Sequence, residues 1–316
     1  MFSKESRIYI AGHRGMVGSA LMQRFGEAGY SNLLTATHAQ LDLRDQGAVR
    51  AFFGAQRPEV VVLAAARVGG ILANSTRPAE FLYDNLMIGT NVIQAAQQAG
   101  VTKLLNLGSS CIYPRLAPQP LKEESLLTGP LEETNRAYAV AKIAAIELCD
   151  HFRTQYGSDF ISAMPTNLYG PGDNFDLNSS HVMPALMRKM VEARETGSAG
   201  VEVWGSGTPL REFLHVDDLA EACLFLLENV SRPGPINVGT GEDLSIRALA
   251  ELIAQTVGYG GDLVFDASKP DGTPRKLLDV SLLRSLGWEA SIPLLQGVRQ
   301  TLAWYTHHRQ QGLVRA

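Results

Sequence analysis

The 316-residue chain has no excess of basic residues: 28 Lys and Arg stand against 32 Asp and Glu, a formal net charge of −4. That balance excludes a dedicated nucleic-acid binder, which normally carries a basic surplus. Cysteine is scarce. Cys111, Cys149 and Cys223 are odd in number and widely spaced, which fits neither a disulfide framework nor a zinc site. A reducing cytoplasm is the expected home. Long hydrophobic runs are missing as well: the longest aliphatic stretch, Val60 to Ala66, is far too short to cross a bilayer, so no membrane association is expected. Met1 to Arg7 is charged and lacks an apolar segment behind it, so no signal peptide is expected. There is no low-complexity linker and no internal repeat. Hydrophobic residues nevertheless make up 45% of the chain, enough for a packed core and too many for a disordered one. The length suits one large domain or two modest ones.

What is present is an alternation of short apolar runs and longer helical patterns. Ile8 to Ala11 is strand-like, Gly12 to Gly18 is glycine-rich, and a helix pattern follows through Ala28. Leu33 to Thr37 reads as a second strand. Asp45 caps a helix pattern reaching Gln56, with Ala48, Val49, Phe52 and Phe53 on one face. Val60 to Leu63 is the continuous β-branched run expected of a parallel strand buried on both faces. Pro78 opens a long helix pattern that ends near Gly100. Lys103 to Leu107 is strand-like, Tyr138 to Tyr156 helical, and Phe160 to Met164 strand-like again. This rhythm predicts an α/β fold with a doubly wound parallel sheet of the Rossmann type. Beyond Pro165 the pieces shorten. Tyr169 to Asn174 reads as a loop, Val182 to Arg194 as a helix, Val201 to Trp204 and Glu212 to His215 as strands. Asp217 to Glu228 is a helix pattern, Ile236 to Val238 a short strand, and Ser245 caps a helix reaching Val257.

Three features carry chemistry. Gly12, Gly15 and Gly18 lie between the first strand and its helix, where glycine lets a pyrophosphate approach the backbone and the helix N-terminus offers free N–H groups. An NAD site usually places an acid at the tip of the second strand; here the tip is Ala36-Thr37-His38. Arg14, inside the glycine loop, can pair with a 2′-phosphate. NADP is therefore expected over NAD. The second feature is Tyr138 with Lys142, one helical turn apart, where an ammonium can lower the phenol's pKa and make it a usable proton donor or acceptor. The third is Ser109-Ser110 at the carboxyl end of the fourth strand, where ligands bind in open α/β sheets.

Together, the glycine loop, the serine after strand four and Tyr-x-x-x-Lys resemble the extended short-chain dehydrogenase/reductase superfamily. Ala64-Ala65-Ala66 fits the small residues such proteins place against the cofactor. The loops are more specific: Ala11-Gly-His-Arg-Gly-Met-Val-Gly18, Leu107-Gly-Ser-Ser-Cys-Ile-Tyr-Pro114, Met164-Pro-Thr-Asn-Leu-Tyr-Gly170, the string from Trp204 to Asp218, and Lys269 to Lys276. These resemble the GDP-L-fucose synthase family, bifunctional GDP-4-keto-6-deoxy-D-mannose 3,5-epimerase–4-reductases. The family commonly carries arginine near the tip of strand two, where this chain has Ala36 and His38, leaving Arg14 as the main 2′-phosphate candidate.

The resemblance implies roles. Cys111 would be the base and His181 the acid for proton exchange at carbons α to the C4 ketone. Ser109 and Tyr138 would stabilise the C4 oxyanion, with Tyr138 and Lys142 serving the hydride step. Cofactor contacts are expected from Gly12, His13, Arg14, Gly15, Met16, Val17 and Gly18, from Leu107, Gly108, Ser109 and Ser110, and from Lys142, Pro165, Thr166, Asn167, Leu168 and His181. Lys189, Trp204, Arg211 and Asp271 would hold the nucleotide-sugar. The family implies a homodimer through helices 78–100 and 138–156. It also implies a cofactor domain of residues 1–165 with help from about 213–241, and a substrate domain of 166–212 and 242–316. His151, His307 and His308 read as surface residues, and no metal is expected. Two alternatives stand beside this. A 4,6-dehydratase of the superfamily would carry Asp-Glu where this chain has Ser110-Cys111, and a 4-epimerase would not need the Cys/His pair. A non-catalytic dinucleotide-binding protein would not need the full Ser109, Tyr138 and Lys142 set.

Overall fold

The computed structural model describes residues 2–269 and 271–314. Its strands and helices follow in the order β1 (Ile8–Ala11), α1 (Met16–Glu27), β2 (Leu33–Leu34), α2 (Gln46–Gln56), β3 (Val60–Leu63), α3 (Ile71–Thr76), α4 (Pro78–Gln98), β4 (Lys103–Leu107), α5 (Arg136–Tyr156), β5 (Asp159–Pro165) and β6 (Asn167–Tyr169). The rest of the chain adds α6 (Val182–Thr196), β7 (Gly200–Trp204), β8 (Leu210–His215), α7 (Val216–Asn229), β9 (Pro235–Val238), β10 (Asp243–Ser245), α8 (Ile246–Val257), β11 (Asp262–Asp266), β12 (Arg275–Lys276), α9 (Ser281–Ser285) and α10 (Leu294–Gln310).

A six-stranded parallel sheet, ordered β2-β1-β3-β4-β5-β9, forms the first layer system. Every residue of β1 and β3 is buried, as the β-branched run of β3 requires when helices cover both faces. One face packs on α1 and α7, through Leu21, Phe25, Leu219 and Leu226. The other packs on α2, α4 and α5, through Val49, Phe53, Val92, Ile93 and Phe152. From β1 the chain first adds β2 on one side and then β3 on the other. The strand order therefore reverses beside β1, and a crevice opens at the carboxyl ends of β1 and β3, the place where open α/β sheets bind ligands.

A second group of elements follows. β8 pairs with β6, β10 and β12, and β7 pairs with β11. Their core joins α6, α8 and α10 through Met187, Met190, Leu249, Ile253 and Tyr305. α7 and β9 return to the first sheet system, so the chain crosses between the two cores more than once. The Rossmann-type architecture is thus as expected. The expected strand Leu33–Thr37 is only Leu33–Leu34, and the helix expected from Tyr138 starts at Arg136. Both expected caps form: the Asp45 and Ser245 side chains accept from Ala48 and Ala248 backbone N–H groups, each at 3.0 Å. Among the described residues no helix is long and apolar enough to cross a membrane, and no cluster of His, Cys, Asp or Glu is placed to hold a metal. His307 is exposed, but His308 stacks on Trp304 at 4.1 Å, and His151 sits 3.6 Å from Glu147 one turn away. His151 and His307 are thus surface residues as expected, while His308 is half-buried against Trp304.

Candidate active site

The glycine loop is built by close approach. Gly12 has φ +88°, and a Cβ there would lie 2.8 Å from Ala65 Cα in the loop after β3. A Cβ at Gly18 would lie 2.1 Å from the Gly12 carbonyl oxygen, so α1 enters the loop at a distance that only glycine permits. Gly15 caps α1, meets no neighbour closer than 3.5 Å, and makes no side-chain cap; the first turn holds no acidic residue. The first N–H groups of α1 have no intrahelical acceptor, as at any helix start. This cradle fits a dinucleotide pyrophosphate. Arg14 is exposed beside it. His38 is also exposed, and Asp42, the first carboxylate after β2, is turned onto Arg44 at 2.8 Å. Arg44 holds the Asp42 carboxyl down at about 2, so no unpaired carboxylate stands at the tip of β2.

At the carboxyl end of β4, Leu107 and Gly108 lead into a short turn, Ser110–Ile112. Gly108 must be small, because a Cβ would meet Met164 Sδ at 2.3 Å. The Ser109 hydroxyl accepts from the Cys111 N–H at 3.2 Å, while Ser110 is buried. The Lys142 ammonium is buried and donates to the Leu107 carbonyl at 2.7 Å, 5.8 Å from the Tyr138 ring centre. Burial brings Lys142 down to about 8. The Tyr138 phenol is pushed up, by burial first and then by the neighbouring Cys111 sulfur, with a hydrogen bond from Ser109 acting the other way. The ammonium that helical spacing sets one turn from Tyr138 is engaged with the Leu107 backbone carbonyl.

Cys111 differs from the other two cysteines. Its Sγ accepts from the Lys276 ammonium at 3.4 Å. Burial alone raises the thiol, yet Lys276, Ser109 and Arg211 outweigh it and hold Cys111 below the usual thiol range. His181 precedes α6 as its cap and opens onto the cleft, although protein atoms crowd the ring. Burial, then the Lys276 charge, hold it below the usual imidazole value. Ser109 and Lys276 thus hydrogen-bond Cys111 directly, Lys142 joins the end of β4, and the charges of Cys111 and Lys276 act on Tyr138 and His181 respectively. Pro165, Thr166, Asn167 and Leu168 run from β5 into β6. Asn167 Nδ2 and Thr166 Oγ1 both donate to the Glu212 carbonyl, at 2.7 and 3.3 Å.

A second lobe lies across the cleft. Trp204 is 48% exposed, and the Lys189 and Lys269 ammonium groups lie 5.6 and 5.4 Å from its ring centre. Arg211 donates to the carbonyls of Leu210 and Asp271 at 2.8 and 3.2 Å. The Asp271 carboxylate accepts from the Ser206 N–H and hydroxyl, both at 2.8 Å, and so clasps the turn after β7. Pro270, in the same loop, lies outside the described residues. Sequence reasoning gave no role to Lys276 or Glu212. Lys276 stood within a noted loop string, but nothing local ties it to Cys111. Glu212 is fully buried and accepts from the N–H groups of Thr240, Gly241 and Leu278 at 2.7, 2.8 and 2.9 Å.

This arrangement sets a dinucleotide cradle beside a Ser/Tyr/Lys set. Residues 8–239 match the model of the NAD dependent epimerase/dehydratase family. The chain belongs to that family. As a family member it is an enzyme, and its similarity to the GDP-L-fucose synthases spans nearly its whole length. It is 56% identical over 306 residues to "Probable GDP-L-fucose synthase 1" of Oryza sativa subsp. japonica, covering 96% of this chain and 93% of that protein. It is 53% identical to "GDP-L-fucose synthase" of Escherichia coli (strain K12), covering 97% of this chain and 98% of that one. A crystal structure of a GDP-L-fucose synthetase from Naegleria fowleri bound to NADP superposes with a TM-score of 0.91 at 30% identity, covering 100% of this chain and 96% of the other. In this epimerase/dehydratase family member, the elements that carry the family match, β1 to β9, are those that build the cradle and present Ser109, Cys111, Tyr138 and Lys142.

Proposed function

We propose that this enzyme inverts C3 and C5 of GDP-4-keto-6-deoxy-D-mannose and then reduces C4, yielding GDP-L-fucose. The observation that carries the reading is the thiol of Cys111, held below its usual range within one cluster with Ser109, Tyr138 and Lys276. Hydrogens on C3 and C5 are acidic because both carbons adjoin the C4 ketone. The Cys111 thiolate takes such a proton and becomes a thiol, while the C–H electron pair moves to the C4 oxygen as an enolate. The Ser109 and Tyr138 hydroxyls donate to that oxygen. His181 returns a proton to the carbon from the opposite face. For the last step NADPH, when bound, supplies hydride to C4, and Tyr138 gives the proton to the C4 oxygen.

Gly12 to Gly18 would hold the pyrophosphate, and Arg14 the 2′-phosphate that favours NADP over NAD. Leu107 to Ser110, Lys142, Pro165 to Leu168 and His181 would line the nicotinamide end. Lys189 and Arg211 would neutralise the substrate diphosphate and Trp204 would stack on its base or sugar, with Asp271 shaping that lobe. The guanine assignment rests on the names of the relatives. We assign residues 1–165 and about 213–241 to the cofactor domain, and 166–212 and 242–316 to the substrate domain. The exposed Tyr83, Val140 and Tyr156 of α4 and α5 support a homodimer through these helices. The three free thiols suit a reducing cytoplasm.

The test separates the two activities. Cys111→Ser should abolish deuterium exchange at C3 and C5 while sparing NADPH-dependent reduction of the already epimerised ketone. Equal loss of both, or undiminished exchange, would overturn the role of Cys111.

A further inference from the structure

Cys149 and Cys223 show what burial alone does to a thiol in this protein. It pushes Cys149 up to about 12 and Cys223 higher still. Cys111 sits among protein atoms too, yet moves the other way. The largest influence opposing burial is the Lys276 ammonium, 3.4 Å from its sulfur, with Ser109 and Arg211 adding to it. Among the described residues this is the only side-chain hydrogen bond that Lys276 makes.

Lys276 reaches the sulfur through a fixed backbone. β12 pairs in parallel with β8 and sets Lys276 beside Arg211. The segment that follows is tied down on both sides. Leu277 N–H donates to Gln119 Oε1 at 3.0 Å, Leu278 N–H to Glu212 at 2.9 Å, and Asp279 N–H to the Leu121 carbonyl at 2.8 Å. The other charges facing Cys111 are largely spoken for. Glu132 is 3.2 Å from Arg115 and Arg275 is 2.6 Å from Asp243. Arg211 rests on two backbone carbonyls, with the Asp271 carboxylate behind it. The Cys111 sulfur acts electrostatically on the Tyr138 phenol of α5, and the same Lys276 ammonium acts on His181, the cap of α6. Lys276 is the cation left to act on both ends of the proton-exchange pair. It favours the anion on Cys111 and makes a protonated His181 a stronger acid.

We propose that Lys276 is a positioning residue for epimerisation: it stabilises Cys111 as the thiolate and so sets the pH above which protons leave C3 and C5. This rests on the reading of Cys111 as the base. The prediction concerns the whole protein without substrate. Iodoacetamide alkylation of Cys111 is followed by mass spectrometry from pH 5 to 10. Cys149 and Cys223 are fully buried and serve as silent internal thiols. The wild-type midpoint should fall below the ordinary thiol value of about 8.5. In Lys276→Met it should rise by about one pH unit or more, making alkylation roughly tenfold slower at pH 7. Lys276→Arg, which keeps the charge, should restore most of the shift. The pH profile of deuterium exchange should move in parallel.

An unchanged midpoint in Lys276→Met, or a Lys276→Arg protein that behaves like it, overturns the role of Lys276 and leaves the reading of Cys111 intact. If the midpoint follows the charge at 276 while Cys111→Ser still exchanges both carbons, the reading of Cys111 as base fails. The assignment of Lys276 to epimerisation then fails with it.

Discussion

Glu212 offers the sharpest test of how the second lobe is held against the first. Its carboxylate has no exposure and accepts from three backbone N–H groups on two separate segments: Thr240 and Gly241 after β9, and Leu278 after β12. Gly239 must be glycine for the same reason, since a Cβ would lie 2.2 Å from Glu212 Oε1. Burial raises the acid, and the backbone donors oppose that rise. Glu212→Gln keeps the shape and one acceptor oxygen. If that oxygen stays on Thr240 and Gly241, the new NH2 faces the Leu278 N–H, donor against donor. Two buried donors left without partners cost about 1–3 kcal/mol each. The expected loss is therefore about 2–6 kcal/mol, a large share of the roughly 5–15 kcal/mol of a typical fold. Urea unfolding should show a lower midpoint at unchanged slope, and Tm should fall by roughly 3–9 °C. Because Leu278 lies two residues beyond Lys276, the Cys111 alkylation midpoint should also rise. Glu251→Gln, on the exposed face of α8, is the control and should stay within about 0.5 kcal/mol. A Glu212→Gln protein as stable as that control would refute the reasoning.

Other outcomes follow from single residues. Gly18→Ala puts a methyl 2.1 Å from the Gly12 carbonyl, a backbone atom that cannot swing away, so the loop must shift; NADPH should bind about tenfold or more weakly by calorimetry. Gly26→Ala on the same helix meets nothing within 4 Å and should instead stabilise by about 0.5–1 kcal/mol. Lys142→Met removes an ammonium that burial brings down to about 8. Below pH 8 both folded and unfolded lysine are protonated and the buried charge costs about 2–3 kcal/mol, so the variant should gain Tm at pH 7 while losing ketone reduction, with the gain shrinking toward pH 10. Asp173 is buried, its Oδ2 has no hydrogen-bond partner among the described residues, and burial pushes it up to about 7. The folded state therefore holds its proton longer than the unfolded one, and stability should fall as pH rises from 4 to 7. Asp173→Asn should flatten that slope by about 1–3 kcal/mol, read from Tm across the range.

The first sheet was legible because its signals are local. The β-branched run of β3, the glycines after β1 and the cap at Asp45 each state their role within a few residues. The second lobe was less so. β6, β10 and β12 have two or three residues each and exist through pairing with β8, far away in sequence. α10 went unread, although its apolar face joins the second core. The site followed the same division. Ser109, Cys111, Tyr138 and Lys142 were visible as motifs, but what sets their ionisation was not. Lys276 lies 165 residues from Cys111 in sequence, and no spacing rule connects them. Glu212 reads as an ordinary charged strand residue until its three donors are placed around it. Helical spacing put Lys142 near Tyr138 correctly, yet could not show that the ammonium is held by the Leu107 carbonyl.

The most direct measurement is one reaction in heavy water. The protein is mixed with NADPH and GDP-4-keto-6-deoxy-D-mannose, and NADPH loss is followed alongside deuterium at C3 and C5 of the product. Epimerisation coupled to reduction predicts NADPH consumption with deuterium at both carbons. Consumption without deuterium would mean a plain ketoreductase, and the assignment of Cys111 and His181 to proton exchange would be contradicted.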